Sequence, residues 1–251
     1  MPKLTILGTS YSVPDENHEN THMVLVGKDR QVLIDCVSNP IVRLKKAGLR
    51  HEDLTDIIMT HFHPDHVSGV PLLLMGMGLL ERRNSLDVYG LDHVVGIMEK
   101  MLEDYKWEMW HHFSVAFHRL PEKKLNLMME TDEFRILTSP VVHFMPTIGL
   151  RIEFKRSGKV LAYSCDTAPN PNLIELAKDA DILIHEAAGA SEGHSSLEQA
   201  GEMATSANAK ELYLIHYPTG EHLDPTMAEK AAKTYDGPIT VAEDFMSLEF
   251  D

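Results

Sequence analysis

Cysteine is scarce in this 251-residue chain: Cys36 and Cys165 are its only two, too few for a disulfide framework and suited to a reducing compartment, so a cytoplasmic location is expected. No apolar run approaches the roughly 20 residues needed to cross a bilayer, which argues against a membrane partner. Positive charge is also short, with 23 Lys and Arg against 38 Asp and Glu and a formal net charge of −15. A surface that negative repels polyanions, so long nucleic acids and anionic membranes are poor partners unless a basic patch appears. The best-placed basic cluster, Arg43, Lys45, Lys46 and Arg50, falls on an amphipathic helix and reads as a solvated face. The opening MPKLTILGTS has one basic residue and a short apolar run, and is expected to be a strand rather than a signal peptide. There is no low-complexity tract and no visible repeat.

What the chain has is alternation. It is 43% hydrophobic, enough for a sizeable core. Short β-branched runs (KLTILG, HMVLVG, RQVLIDC, DIIMTH, SLDVYG) are followed by FRILTSPVVH, IGLRIEFKR, KVLAYSCD, DILIHEA and ELYLIH, then PITVAE and MSLEFD. Between them, helical periodicity appears at NPIVRLKKAGL, over residues 70–80, over 92–113, at NPNLIELAKDA, at SSLEQAGEMATSAN and around 225–234. Such a pattern predicts sheets covered by helices in one domain spanning 1–251.

The unusual polar residues fall at strand ends. In MTHFHPDHVSG, His61 and His63 stand two apart just past a strand, so both can face one side, with Asp65 and His66 in a following loop. Imidazole and carboxylate donors together suit zinc, manganese or iron. Three further apolar strands stop in the same residue types, at His143, Asp166 and His216. Zinc takes about three or four protein ligands, so these seven candidates are a surplus for one ion and a fit for two divalent ions sharing a bridge, zinc first, manganese or iron next.

THFHPDH matches the HxHxDH motif of the metallo-β-lactamase superfamily, and the remaining pieces resemble its ribonuclease Z branch. LGTSYSVP resembles that branch's N-terminal loop, VVHFMPTIGLRIE its third-histidine segment, and VLAYSCDTAPNPNLIELAKDADILIHEA its bridging-aspartate segment. GHSSLEQAGEMATSANAKELYLIH resembles the stretch with the catalytic and last ligand histidines. The resemblance implies an αββα four-layer sandwich, an α+β fold, with the site at one edge. It implies that His61, His63 and His143 hold one metal, that Asp65, His66 and His216 hold the second, and that Asp166 bridges. His194 then matches the non-ligand catalytic histidine and Glu186 its partner, with Asp65, His194 and Glu186 as the catalytic candidates. A plainer reading has His194 and the adjacent serines capping the next helix.

The departures from the branch are equally informative. Its tRNA-gripping arm lies between the third histidine and the bridging aspartate; here His143 and Asp166 are 23 residues apart, filled by two strands and a turn. VSNP and DENHENTH also replace familiar segments. A small-molecule substrate is therefore expected, and tRNA fits poorly. The expected reaction is metal-hydroxide attack on a small or cyclic phosphodiester, the metals lowering the pKa of a shared water toward about 7. Alternatives are a carboxylic ester, lactone or thioester hydrolase, a tRNA 3′-processing endonuclease, and a non-hydrolytic iron protein. The stretch 75–119 carries Met75, Met77, Met98, Met101 and Met109 with Trp107, Trp110, His111, His112 and His118. It reads as a helical core segment or a subunit contact, which would make a homodimer, with an apolar wall near the metals as the other use. Cys165 is expected to point away from the metals and to serve packing.

Overall fold

The computed structural model describes residues 1–109 and 113–251. Among them, one sheet uses β1 (Lys3–Gly8), β2 (His22–Val26), β3 (Gln31–Ile34), β4 (Asp56–Ile58), β5 (Leu86–Leu91) and β6 (Val115–Leu120). The other uses β7 (Asn126–Glu130), β8 (Phe134–Val141), β9 (Thr147–Phe154), β10 (Val160–Tyr163), β11 (Ile182–Glu186), β12 (Glu211–Ile215) and β13 (Ile239–Val241). The last strand, β14 (Ser247–Glu249), returns to the first sheet, giving the orders β14-β1-β2-β3-β4-β5-β6 and β13-β12-β11-β10-β9-β8-β7. Inward-facing residues of both sheets share one core: Leu4, Ile6, Leu25, Val32 and Ile34 lie in the same cluster as Phe134, Ile136, Leu150 and Ile152.

Helices cover both outer faces, as the four-layer expectation requires. On the first sheet lie α1 (Pro40–Lys46), α3 (Val70–Leu79) and α4 (Asp92–Asp104), with the short α2 (Pro64–Val67) at the edge. On the second lie α5 (Pro171–Leu176), α6 (Leu197–Ser206) and α7 (Met227–Ala231). An alanine-rich seam including Ala177, Ala200 and Ala204 lets α6 pack close to β11 and β12.

Direction matters most for function. Strands β3 and β4 run parallel, as do β10, β11 and β12, and β8 is antiparallel to β9, which is antiparallel to β10. Hence β8, β10, β11 and β12 all release their last residues at one edge, where open α/β sheets place their ligands.

Three local expectations fail. The helix read over 92–113 stops at Asp104: Lys106 takes a left-handed backbone (φ 52°), and a single 3-10 turn, Trp107–Met109, follows. Trp110, His111 and His112 lie outside the described residues. Strands β6 and β7 have no counterpart in the sequence reading; both are half-exposed outer strands with a single β-branched residue, Val115, between them. Asp65 and His66 sit in α2 rather than a loop, with Pro64 at its first turn where proline costs no hydrogen bond.

Candidate metal centre

All seven candidate ligands converge at the edge where the strands end. His63 Nδ1 lies 3.0 Å from both His61 Nε2 and His143 Nε2. A tetrahedral ion with metal–nitrogen bonds of about 2.0–2.1 Å would hold such nitrogens about 3.3 Å apart, so this trio has the spacing of a ligand set. On the other side, His216 Nε2 is 3.5 Å and His66 Nε2 3.9 Å from Asp65 Oδ2. Asp166 Oδ2 faces both groups, at 3.5 Å from His66 and His216, 3.8 Å from His61 and 3.9 Å from His143. His66 Nε2, Asp166 Oδ1 and both ring nitrogens of His216 are buried without a hydrogen-bond partner. Orphaned buried donors of this kind, with no apolar compensation, fit a cation that would satisfy them.

The chain fixes these rings from behind. His143 Nδ1 donates to the Gly193 carbonyl (2.8 Å), leaving Nε2 free to face inward, and burial pushes its pKa down to about 4. Burial also holds His61 well below the ordinary histidine value. His66 behaves oppositely: burial would lower it, but Asp166 and Asp35 raise it well above. Burial would raise the Asp166 carboxyl, yet His216 and His66 hold it well below the usual carboxylate range. A divalent cation in place of the proton between them would satisfy the same atoms.

Beside this cluster, Glu186 is fully buried at the end of β11. Its Oε1 accepts from the backbone N–H of Thr167 and Ser195 and from His194 Nδ1 (3.0 Å), and its Oε2 accepts from Ala188 N. Burial works to lower His194, but the hydrogen bond and charge of Glu186 win and raise it. Ser196, not His194, caps α6, in a capping box with Gln199. The helix-cap reading of His194 therefore fails. Its ring centroid stands 4.8 Å from His143 and 5.9 Å from His216, and its geometry also groups it with Asp166 and His216 as a conceivable donor set.

With the geometry in view, the comparisons are decisive: residues 2–234 match the family described as anti-Pycsar protein Apyc1. The chain belongs to that family. The ribonuclease Z of Methanothermobacter thermautotrophicus is 27% identical over 304 residues, covering 99% of this chain and 97% of the relative. That span exceeds the 251 residues here, so the relative carries stretches this Apyc1-family chain lacks. The metallo-β-lactamase fold protein YhfI from Bacillus subtilis superposes with a TM-score of 0.84 at 22% identity, with 99% of each chain covered. A diphosphatase of the PhnP family superposes with a TM-score of 0.75 at 20% identity, covering 100% of this chain and 98% of that one. The fold is that of the metallo-β-lactamase superfamily, and the chain falls on its ribonuclease Z-like branch.

Two residues of this Apyc1-family centre escaped the sequence reading. Asp35 ends the apolar run of β3 and is fully buried; its carboxylate accepts from Thr60 N (2.9 Å), Thr60 Oγ1 and His66 Nδ1 (2.7 Å). The rule that found His143 and His216, an apolar strand stopping in a polar residue, also finds Asp35. The second is Cys165. β10 stops at Tyr163, Cys165 takes a left-handed backbone (φ 53°), and its buried Sγ lies 3.7 Å from His61 Nδ1, behind the ring whose Nε2 meets the cluster. The regular strand that the expectation assumed is absent, and Cys165 packs against the back of His61.

Asp35 gives a direct test. Asp35→Ala should weaken metal affinity about 10–100-fold, the usual cost of removing a carboxylate behind a ligand histidine. Competition with a chromophoric chelator measures it, and unchanged affinity would show that His66 needs no such support.

Proposed function

We propose that this metal-dependent hydrolase cleaves small or cyclic phosphodiesters with two divalent ions, zinc first among them and manganese or iron also matching the donors. His61, His63 and His143 would hold one ion, and Asp65, His66 and His216 the other, with Asp166 shared. When bound, the ions supply an activated water near neutral pH and offset negative charge on a phosphoryl group. The remaining work belongs to the chain. Glu186, fixed by three backbone N–H groups, orients His194 through Nδ1 and favours its protonated form. His194 is then placed to give a proton to a departing alkoxide, which is a poor leaving group without one. That pair, a buried Glu186 behind a half-buried His194 beside the ligand cluster, is the observation that carries the diester reading, because a proton donor matters most where an alkoxide must leave.

Substrate size follows from what surrounds the centre. The chain joins β9 to β10 by a short turn where the resemblance leads one to look for a tRNA-gripping arm, and its charge is −15. A groove of about 530 Å³ is lined by Phe62, Pro64, Val67, Met75, Met101 and Tyr105 among others, the first three adjacent in sequence to candidate ligands that do not themselves line it. It supports the apolar wall read from the methionine-rich segment, and a small, partly hydrophobic substrate fits it better than a polyanion. The curated ribonuclease Z relatives keep tRNA processing as the competing proposal.

The deciding experiment offers the metal-loaded protein a panel of phosphodiesters, lactones, thioesters and a tRNA precursor. Diesters should turn over fastest, and tRNA should bind weakly with little gain at low salt. Preferred hydrolysis of lactones or thioesters would move the function to carbonyl chemistry. Efficient cleavage of the precursor at its 3′ end would show that another surface replaces the arm.

A further inference from the structure

We propose that Phe144 is a specificity-determining side chain of this centre, stacking on a planar aromatic ring carried by the leaving group; this rests on the diester reading above. Phe144 directly follows His143, and its side chain is 58% exposed. An exposed phenylalanine on a loop is unremarkable alone. This one touches both working histidines: its ring centroid is 5.1 Å from His143 and 5.8 Å from His194, edge-on to each at 65° and 64°. These steep contacts position the ring, and its 58% exposure leaves much of it open to solvent.

The backbone around it is pinned. Ala168 N donates to the Val142 carbonyl, and Val142 N donates to Thr167 Oγ1. His143 Nδ1 donates to the Gly193 carbonyl across the loop. Gly193 needs its own left-handed backbone (φ 81°), and a Cβ there would stand 3.0 Å from His143 Nδ1 and 3.2 Å from Phe144 N. The ring is thus held on the rim by the same contacts that orient a ligand histidine.

Position then dictates partner. A group that receives its proton from His194 must leave past His194, and the side chain packed against that flank is Phe144. Phe144 offers no charge and no hydrogen bond, only a face. It favours a flat, uncharged aryl or heteroaryl ring over an alkyl chain, since aromatic faces stack with offset geometry that alkyl groups cannot match.

The test uses the metal-loaded protein and two diesters, phenyl methyl phosphate and a dialkyl phosphate. Phe144→Ala should cut the aryl-over-alkyl preference in kcat/KM about 5- to 100-fold, mainly through KM. Phe144→Tyr should restore the preference and Phe144→Leu should not. Equal losses on both substrates, or full rescue by leucine, would overturn the stacking role. Metal content, measured alongside, must match wild type for the comparison to read Phe144 and not His143. Calorimetric binding of phenylphosphonate against methylphosphonate provides an arm independent of turnover. If wild type hydrolyses no diester, the diester reading falls; a phenyl preference that survives Phe144→Ala refutes the Phe144 assignment by itself.

Discussion

Asp166→Ala is expected to deplete both metal positions at once and to lower turnover by at least about 10³-fold, the scale of losing several kcal/mol of electrostatic stabilisation. The reason is geometric. One oxygen, Asp166 Oδ2, stands within 3.5–3.9 Å of four histidine nitrogens drawn from both groups. No other carboxylate in the cluster does this: Asp65 approaches only His66 and His216. Removing Asp166 therefore leaves each group short of a ligand and removes the charge between them. Replacing His63 should be milder for the second position, because its 3.0 Å contacts are with His61 and His143 of the first group. Elemental analysis of the two variants reads the difference. Full activity with a single ion per chain would refute the dinuclear arrangement.

The second large effect separates proton transfer from metal binding. His194→Ala should keep its metal, because seven other residues supply donors, and should lose about 10²–10⁴-fold in turnover for want of a general acid. The loss should be severe on alkyl diesters and small on p-nitrophenyl diesters, whose leaving group departs unprotonated. Its pH dependence has a definite sign. Since Glu186 raises the His194 pKa, wild-type activity on alkyl diesters is retained below that value and lost as pH rises through it. Glu186→Gln should move this limb to lower pH. Bound cations shift both profiles down together, so the difference between them isolates Glu186. Equal losses on alkyl and p-nitrophenyl substrates would make His194 a phosphate-positioning group. Loss of metal would make it a ligand, in the grouping it forms with Asp166 and His216.

Much of this centre was legible because the fold writes it in one dimension. A buried strand reads as a mostly apolar run, as in LYLI of β12, and a histidine or aspartate that ends it marks the sheet edge. His143, Asp166 and His216 announce themselves that way, whereas Glu186 was identified through the family resemblance. What the sequence hid depends on backbone angle and on pairing between distant segments. Cys165 takes a left-handed backbone (φ 53°), which non-glycine residues adopt only where their surroundings enforce it, and no periodicity signals that this turn sets its Sγ behind His61. The outer strands β6 and β7 were missed because both are half exposed and hold one β-branched residue, Val115, between them.

The distribution of ligands between the sheets has a mechanical consequence. His61, His63, Asp65 and His66 follow β4 of one sheet, whereas His143, Asp166 and His216 follow β8, β10 and β12 of the other. With the ions in place as proposed, each one ties residues of both sheets. Both cysteines are free and buried, so no disulfide cross-links the two sheets. Two metal cross-links at one rim would then act on the unfolded ensemble as staples do, shortening the loops the chain can explore. The sandwich would be hinged shut at its working edge, and removing the clasp would loosen the two layers where substrate enters.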